Sequence, residues 1–189
     1  VRTLDGMAAG GIYDHLGGGF ARYAVDERWM VPHFEKMLYD NAQLAQAYLE
    51  AYQLTKLPLF KRIATEVLDY ELRDMRDAMG AFHSTEDADS EGEEGKFYLW
   101  TRLDIIDSLG PVDGELFCTY YAVLPNGNFN SHESYHTGMN VLHVPKRPAE
   151  VAKDAGMTEA DLEARMAPLR AKLLAVRGKR TRPGLDDKV

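Results

Sequence analysis

The chain has 189 residues, of which 45% are hydrophobic, and this is enough for one hydrophobic core of ordinary size. Its 22 Lys and Arg against 30 Asp and Glu give a net charge of -8, which argues against nucleic acid or an anionic membrane surface as a partner. The sequence lacks the roughly 20 apolar residues of a membrane span and the basic-then-apolar order of a signal peptide. A single cysteine, Cys118, cannot form an internal disulfide, which favours a reducing, cytoplasmic compartment.

The first forty residues predict a helix, a glycine break and a β-hairpin. Leu4, Met7 and Ile12 follow helical spacing, and since Val1 is not a Met, we expect the chain to open inside a helix. The glycines at 17–19 end this helix. Aromatic and apolar residues at 20–29 then surround a turn-like Asp-Glu pair, which is typical of a short hairpin or an ordered loop.

Two long amphipathic helices follow, over residues 34–53 and 57–79, because their apolar residues recur every three or four positions. Gly80 is placed to cap the second helix. The break at residues 55–58 is short, so these helices are predicted to form an antiparallel hairpin.

Residues 81–101 predict a small β-hairpin, formed by 81–84 and 96–100, with the acidic segment 87–95 at its tip. Short helices are expected from 102, capped by Thr101, and over 112–121, with an extended segment at 140–144. Thr158 and Asp161 open a last helix over 158–177, which Pro168 is expected to kink or split.

These elements predict a mostly α fold, namely part of an α/α toroid of six-hairpin type with small β-hairpin insertions. Both ends of the chain lack their own start and stop signals. We therefore expect residues 1–189 to be a fragment of one toroid domain, truncated at both ends, whose uncovered helix faces associate with another chain or with the missing half.

The densest polar chemistry lies at residues 11–41, where carboxylates, histidines and glycines alternate with aromatic rings. Aromatic faces stack on sugar rings, and carboxylates and imidazoles transfer protons, so this segment predicts a carbohydrate site. His33, at the entry of the long helix, is our first candidate for acid/base work. Its candidate carboxylate partners are Glu35, Asp26, Asp87 and Asp89. The candidate substrate-binding residues are His15, Arg22, Lys36, Tyr39, Asp40, Tyr98 and Trp100. The alternative is structural: each residue caps a helix, fills the core or pairs at the surface.

Two motifs suggest metals and fail on inspection. Asp87, Asp89 and Glu91 resemble the opening of a calcium loop, but Tyr98 stands where the bidentate Glu is required. Residues 132–136 spell H-E-x-x-H, yet they lie in a turn-rich segment and not on the helix that a zinc site needs. We therefore expect no metal and no other cofactor.

Three blocks of the sequence are long and specific: GGIYDHLGGGFARYAVDERWMVPHFEKMLYDNAQLA, EDADSEGEEGKFYLWT and RTRPGLDDKV. They closely resemble the thioredoxin-domain-containing, spermatogenesis-associated protein family. The resemblance implies an N-terminal thioredoxin-like domain, absent from this chain, followed by an α/α toroid similar to N-acylglucosamine 2-epimerases and six-hairpin glycosidases. Relative to the family pattern, residues 130–137 look inserted, which further weakens the zinc interpretation.

Two functions remain open. The first is a sugar-active enzyme, an isomerase or a hydrolase, that acts on a small carbohydrate with His33 as acid/base and Tyr39 and Trp100 as aromatic walls. The second is a non-catalytic module that binds a sugar or a peptide. In either case we expect residues 11–41 and 86–100 to meet at one mouth of the toroid, and the carboxylates gathered there to raise each other's pKa.

Overall fold

The computed structural model describes residues 1–129 and 137–186, which divide into two compact units. The first unit comprises residues 1–97 together with the returning segment 181–186, and the second comprises residues 98–180. Helices make up about 49% of the described residues, which confirms the mostly α prediction, and the strands there form small antiparallel sheets. No helix in the described residues combines the length and the hydrophobicity that a membrane crossing needs.

The first unit is built on an antiparallel helical hairpin, as the sequence predicts. Its helices are α1 (Arg2–Ala9), α2 (Leu38–Thr55) and α3 (Pro58–Tyr70), and a π-helical turn, Glu71–Met75, continues α3. The predicted start of α2 at residue 34 is wrong, because residues 36–37 are extended and pair as a strand. The second helix also ends before 79: Asp77 closes a turn by accepting hydrogen bonds from Met79 N and Ala81 N.

Seven of the nine strands belong to the first unit, and each is two residues long. They are β1 (Tyr23–Ala24), β2 (Pro32–His33), β3 (Lys36–Met37), β4 (Thr85–Glu86), β5 (Asp89–Ser90), β6 (Glu93–Glu94) and β9 (Leu185–Asp186). The β1–β2 pair is the hairpin predicted within residues 20–33. β5 and β6 form the acidic hairpin, and β4 pairs with both β3 and β9.

A cluster of buried aromatic and aliphatic side chains fills the first unit between the helical hairpin and the N-terminal segment. Phe20 has no exposed surface and stacks on Tyr48, with ring centroids 5.5 Å apart. Asn41, at the start of α2, clamps Phe20 by accepting from its N–H at 2.6 Å and donating to its carbonyl at 3.0 Å. The glycine-rich loop is therefore fixed against α2 by both apolar packing and hydrogen bonds.

The second unit contains helices α4 (Arg102–Leu109), α5 (Pro111–Tyr120), α6 (Pro148–Asp154) and α7 (Glu159–Arg177), with β7 (Trp100–Thr101) paired to β8 (Met139–Asn140). Thr101 caps α4 in a complete capping box with Asp104, as predicted. The hairpin predicted between 81–84 and 96–100 is wrong, since Trp100 pairs with Asn140. The split predicted at Pro168 is also wrong, because α7 continues through it and buries one apolar row, Leu162, Met166, Leu169 and Leu173.

Candidate functional site

A cavity of about 310 Å³ opens in the first unit beside the β1–β2 hairpin. One part of its lining is apolar and aromatic: Met7, Ile12, Ala21, Tyr23, Trp29 and Leu44. The polar part consists of Arg22, Asp40 and Gln43. Its size lies at the lower end of small-molecule sites, and the mixture of aromatic walls with a few polar groups is typical of them.

Asp40 is the carboxyl group that distinguishes this cavity. Burial raises the pKa of Asp40, nearby Arg22 opposes the shift, and Glu35 adds to it. Its Oδ2 atom is buried and accepts no hydrogen bond from the described residues. A carboxyl group of this kind can accept a hydrogen bond from a ligand or exchange a proton with it.

Arg22 also connects the cavity to three polar side chains beside it. We call these four residues the His33 cluster: Arg22, His33, Glu35 and Glu94. Arg22 Nη1 donates to Glu35 Oε2 at 3.0 Å, and the same carboxylate oxygen lies 3.7 Å from His33 Nε2. His33 Nδ1 donates to Glu94 Oε1 at 2.7 Å. The ring of His33 also stacks on Tyr23, a cavity residue, with centroids 4.9 Å apart.

The arrangement around His33 fixes its orientation. A carboxylate only accepts, so the 2.7 Å contact places a proton on Nδ1 and leaves Nε2 with a lone pair when the ring is neutral. Glu94 thus holds His33 as the carboxylate holds the histidine in a hydrolase triad. The hydrogen bond that Arg22 donates to Glu35 raises the pKa of Arg22, and the nearby Tyr39 and Asp40 add to this, so Tyr39 also belongs to this neighbourhood.

Lys36 and His15 occupy structural positions in the first unit. Lys36 is 3% exposed, donates to Asp14 Oδ2 at 2.9 Å and to Gly18 O at 3.0 Å, and lies 4.3 Å from the Tyr70 ring centroid. Because Asp14 also accepts from two N–H groups of the same loop, this buried pair holds the glycine loop in place. His15 Nε2 donates to Gly10 O at 2.9 Å.

Asp26 accepts from three backbone N–H groups: Arg28 at 2.7 Å, Met30 at 3.3 Å and Val31 at 2.6 Å. Burial alone would raise the pKa of Asp26, but these bonds outweigh burial and lower it. A carboxylate with a lowered pKa and three backbone donors is a loop-forming group, so its geometry favours a positioning role over proton transfer.

The other predicted site residues lie apart from the cavity lining. Asp87 and Asp89 are exposed, and Asp87 Oδ1 accepts from the N–H of Asp89. Tyr98 and Trp100 belong to the second unit, where the Trp100 side chain has no exposed surface. The geometry therefore gives no support to Trp100 as a wall of a sugar site.

The two predicted segments do meet within the first unit, although through other residues than expected. β3 pairs with β4, so Lys36 lies opposite Glu86, and Glu94 reaches both His33 and the N–H of Phe34. The predictions from sequence missed Glu94, which they placed in the acidic hairpin tip, and did not single out Trp29 among the aromatic residues at 20–29. The sequence did hold a signal for Trp29. Gly6 lies on α1 and Gly10 follows its end about one turn later, and glycines at both positions indicate that another part of the chain packs closely there.

No group of three or more His, Cys, Asp or Glu within residues 1–129 and 137–186 could hold a metal ion. The H-E-x-x-H motif at 132–136 lies outside these residues.

The chain matches relatives along its whole length. It is 38% identical to spermatogenesis-associated protein 20 of Homo sapiens and 36% identical to that of Mus musculus. The chain therefore matches one stretch of spermatogenesis-associated protein 20 over its own full length. It is also 33% identical to an uncharacterized protein of Caenorhabditis elegans, while no protein-family model matches it. The chain spans about a quarter of these relatives, 26% of the human and mouse proteins and 28% of the nematode protein. The family is the one that the three sequence blocks resemble.

Proposed function

We propose that the first unit binds a carbohydrate in the cavity beside the β1–β2 hairpin and transfers a proton on it. The observation that carries the proposal is Asp40: a carboxyl group with a raised pKa and an unpartnered buried oxygen, facing a cavity walled by Trp29 and Tyr23. Aromatic walls bind the apolar face of a sugar ring, and the amide of Gln43 and the guanidinium of Arg22 offer donors to its hydroxyls.

The chemistry that fits this lining is isomerisation. Asp40 as a carboxylate takes a proton from the carbon next to the sugar carbonyl, and the electron pair moves onto the carbonyl oxygen, where Arg22 stabilises the enolate. The proton then returns to the former carbonyl carbon, and the proton of the neighbouring hydroxyl moves to the enolate oxygen, so that the neighbouring carbon becomes the new carbonyl. His33, with its Nε2 lone pair at the rim, is the second proton-transfer group.

Hydrolysis is less well supported. A glycosidase requires two carboxyl groups roughly 5 to 10 Å apart on either side of the scissile bond. Among the described residues that line the cavity, Asp40 is the one carboxyl group.

The test is an NMR assay in deuterated water with glucose, mannose, galactose and N-acetylglucosamine, which measures both binding and exchange of carbon-bound protons. We expect Asp40→Asn to slow the exchange of carbon-bound protons at least a hundredfold, because the general base is lost, while the sugar still binds. Asp69→Asn, an exposed position on α3, is the matched control and should leave both unchanged. Failure of every sugar to bind would end the proposal.

The second candidate is a binding module without turnover. It is favoured by one observation: both ring nitrogens of His33 face carboxylates, Glu94 at 2.7 Å and Glu35 at 3.7 Å, which suits a structural imidazole as well as a catalytic one. Binding without proton exchange in the same assay would establish this alternative.

A further inference from the structure

Trp29 is held in an unusual backbone conformation at the wall of the cavity. Its φ angle is +62°, in the left-handed region of the backbone that residues other than glycine, asparagine and aspartate rarely adopt. This conformation is strained for a tryptophan, so it persists only where the surroundings hold it. Backbone strain at a cavity wall identifies a feature to explain.

Asp26 supplies part of that restraint. Its carboxylate accepts from the N–H groups on both sides of Trp29, at residues 28, 30 and 31, and so closes the tip of the hairpin around it. The carbonyl of Trp29 in turn accepts from Ile12 N at 3.1 Å, which ties the tip to the floor of the cavity.

The N-terminal helix is shaped to receive Trp29. A Cβ atom at Gly10 would lie 2.3 Å from the Trp29 carbonyl oxygen and 2.8 Å from the Trp29 Cβ, closer than atoms can approach. A Cβ at Gly6 would lie 3.3 Å from Cδ1 of the indole. Glycines at both positions therefore leave room for the tryptophan against α1.

We infer that Asp26 is a positioning residue, which fixes Trp29 as the wall of the cavity and thereby sets its affinity for ligands. Asp26 does not line the cavity, so it acts through Trp29 and not on the ligand itself. The inference rests on the proposed function for its ligand, a sugar ring with an apolar face, but the positioning of Trp29 can be tested without any ligand.

The first measurement is acrylamide quenching of tryptophan fluorescence in the ligand-free protein. Trp100, the second of the two tryptophans, has no exposed surface, so a change in quenching reports Trp29. Asp26→Ala should expose Trp29 and increase quenching, and Asp26→Asn, which keeps one acceptor oxygen, should give an intermediate value. Asp69→Asn is the control and should match the wild-type protein.

The second measurement is the affinity of the same variants for the tightest-binding sugar of the NMR panel. We expect Asp26→Ala to weaken binding on the order of tenfold, because release of the strain at Trp29 favours an open loop. Asp26→Asn should weaken it less, and any loss of turnover should lie mainly in KM. Both effects, on quenching and on affinity, should be larger in Asp26→Ala than in Asp26→Asn while the melting temperature stays the same. A residue that merely supports the fold would change the melting temperature as well.

Unchanged quenching in Asp26→Ala would overturn the inference, as would increased quenching with unchanged sugar affinity. Should Asp26→Ala fail to fold, Asp26→Asn carries the same comparison. If the wild-type protein binds no sugar, the proposed function fails, while the quenching result still decides whether Asp26 positions Trp29.

Discussion

The carboxyl groups of the first unit differ by their surroundings and not by their chemistry. Asp26 is bound by backbone N–H groups, Asp14 is paired with Lys36, and Asp40 and Glu71 are buried with unpartnered oxygens. Hydrogen bonds and opposite charges stabilise the ionised form, whereas burial without them favours the protonated form. This distribution separates the carboxylates that hold the fold from those available for proton transfer.

Glu71 should make stability depend on pH. Burial raises the pKa of Glu71 to about 7 from its ordinary value of 4.5, and the charge of Lys36 only partly opposes this. Because the pKa of Glu71 is higher in the folded than in the unfolded protein, its protonated form stabilises the folded state. This stabilisation is complete below the unfolded pKa of 4.5 and is lost as pH rises to about 7. We expect the free energy of unfolding to fall by about 3 kcal/mol across this window on account of Glu71.

The measurement is urea unfolding from pH 4 to pH 8 in the wild-type protein and in Glu71→Gln. The neutral amide cannot ionise, so the variant should lose this part of the pH dependence and be the more stable protein at pH 8. Glu27→Gln, at an exposed position, is the control. Equal pH profiles for Glu71→Gln and the wild-type protein would contradict the prediction.

At the scale of elements, helices and the local β1–β2 hairpin were predictable, and pairings between strands far apart in sequence were not. Helical spacing is local, and so α2, α3 and α7 were found with errors only at their ends. The strands have two residues each, which is too short for alternation to show, and Thr85 finds its partner in Asp186 about a hundred positions later. A separation of 61 positions in sequence likewise hides the contact between Glu94 and His33.

The glycine loop lies close to α3 because Gly18 has no Cβ atom. Gly18 has φ +76°, and a Cβ there would lie 2.3 Å from the carbonyl oxygen of Glu66 on α3. Gly92 has nearly the same φ, +78°, but nothing lies within 4 Å of its would-be Cβ. A substitution at Gly92 therefore tests backbone strain alone, and the same substitution at Gly18 tests strain together with a steric clash.

We expect Gly18→Ala to destabilise the protein more than Gly92→Ala. The strain of a left-handed alanine, about 1–2 kcal/mol, is common to both, and the clash with the α3 backbone adds to it only at Gly18. Urea unfolding of the two variants measures the difference. Equal losses would show that the loop moves away from α3 at little cost.

At the scale of the whole molecule, local patterns predicted the mostly α class, and the three sequence blocks predicted a resemblance to one family that the relatives confirm. The toroid, the carbohydrate ligand and the association with a further chain stay predictions. They depend on long-range packing and on ligands, which local patterns do not encode. The division at residues 97–98 and 180–181 was not foreseen, because no linker composition marks it.

Each unit has its own buried residues, so we expect each to open separately in hydrogen exchange. Thr101→Ala removes the capping box of α4 and should cost about 1 kcal/mol. It should speed exchange in α4 and in α5 and α7, which pack on it, and leave α2 and α3 unchanged. Gly18→Ala should do the reverse, since its clash lies with α3 in the first unit. Exchange followed by mass spectrometry on both variants measures this, and equal acceleration along the whole chain in either variant would mean that the two units unfold as one.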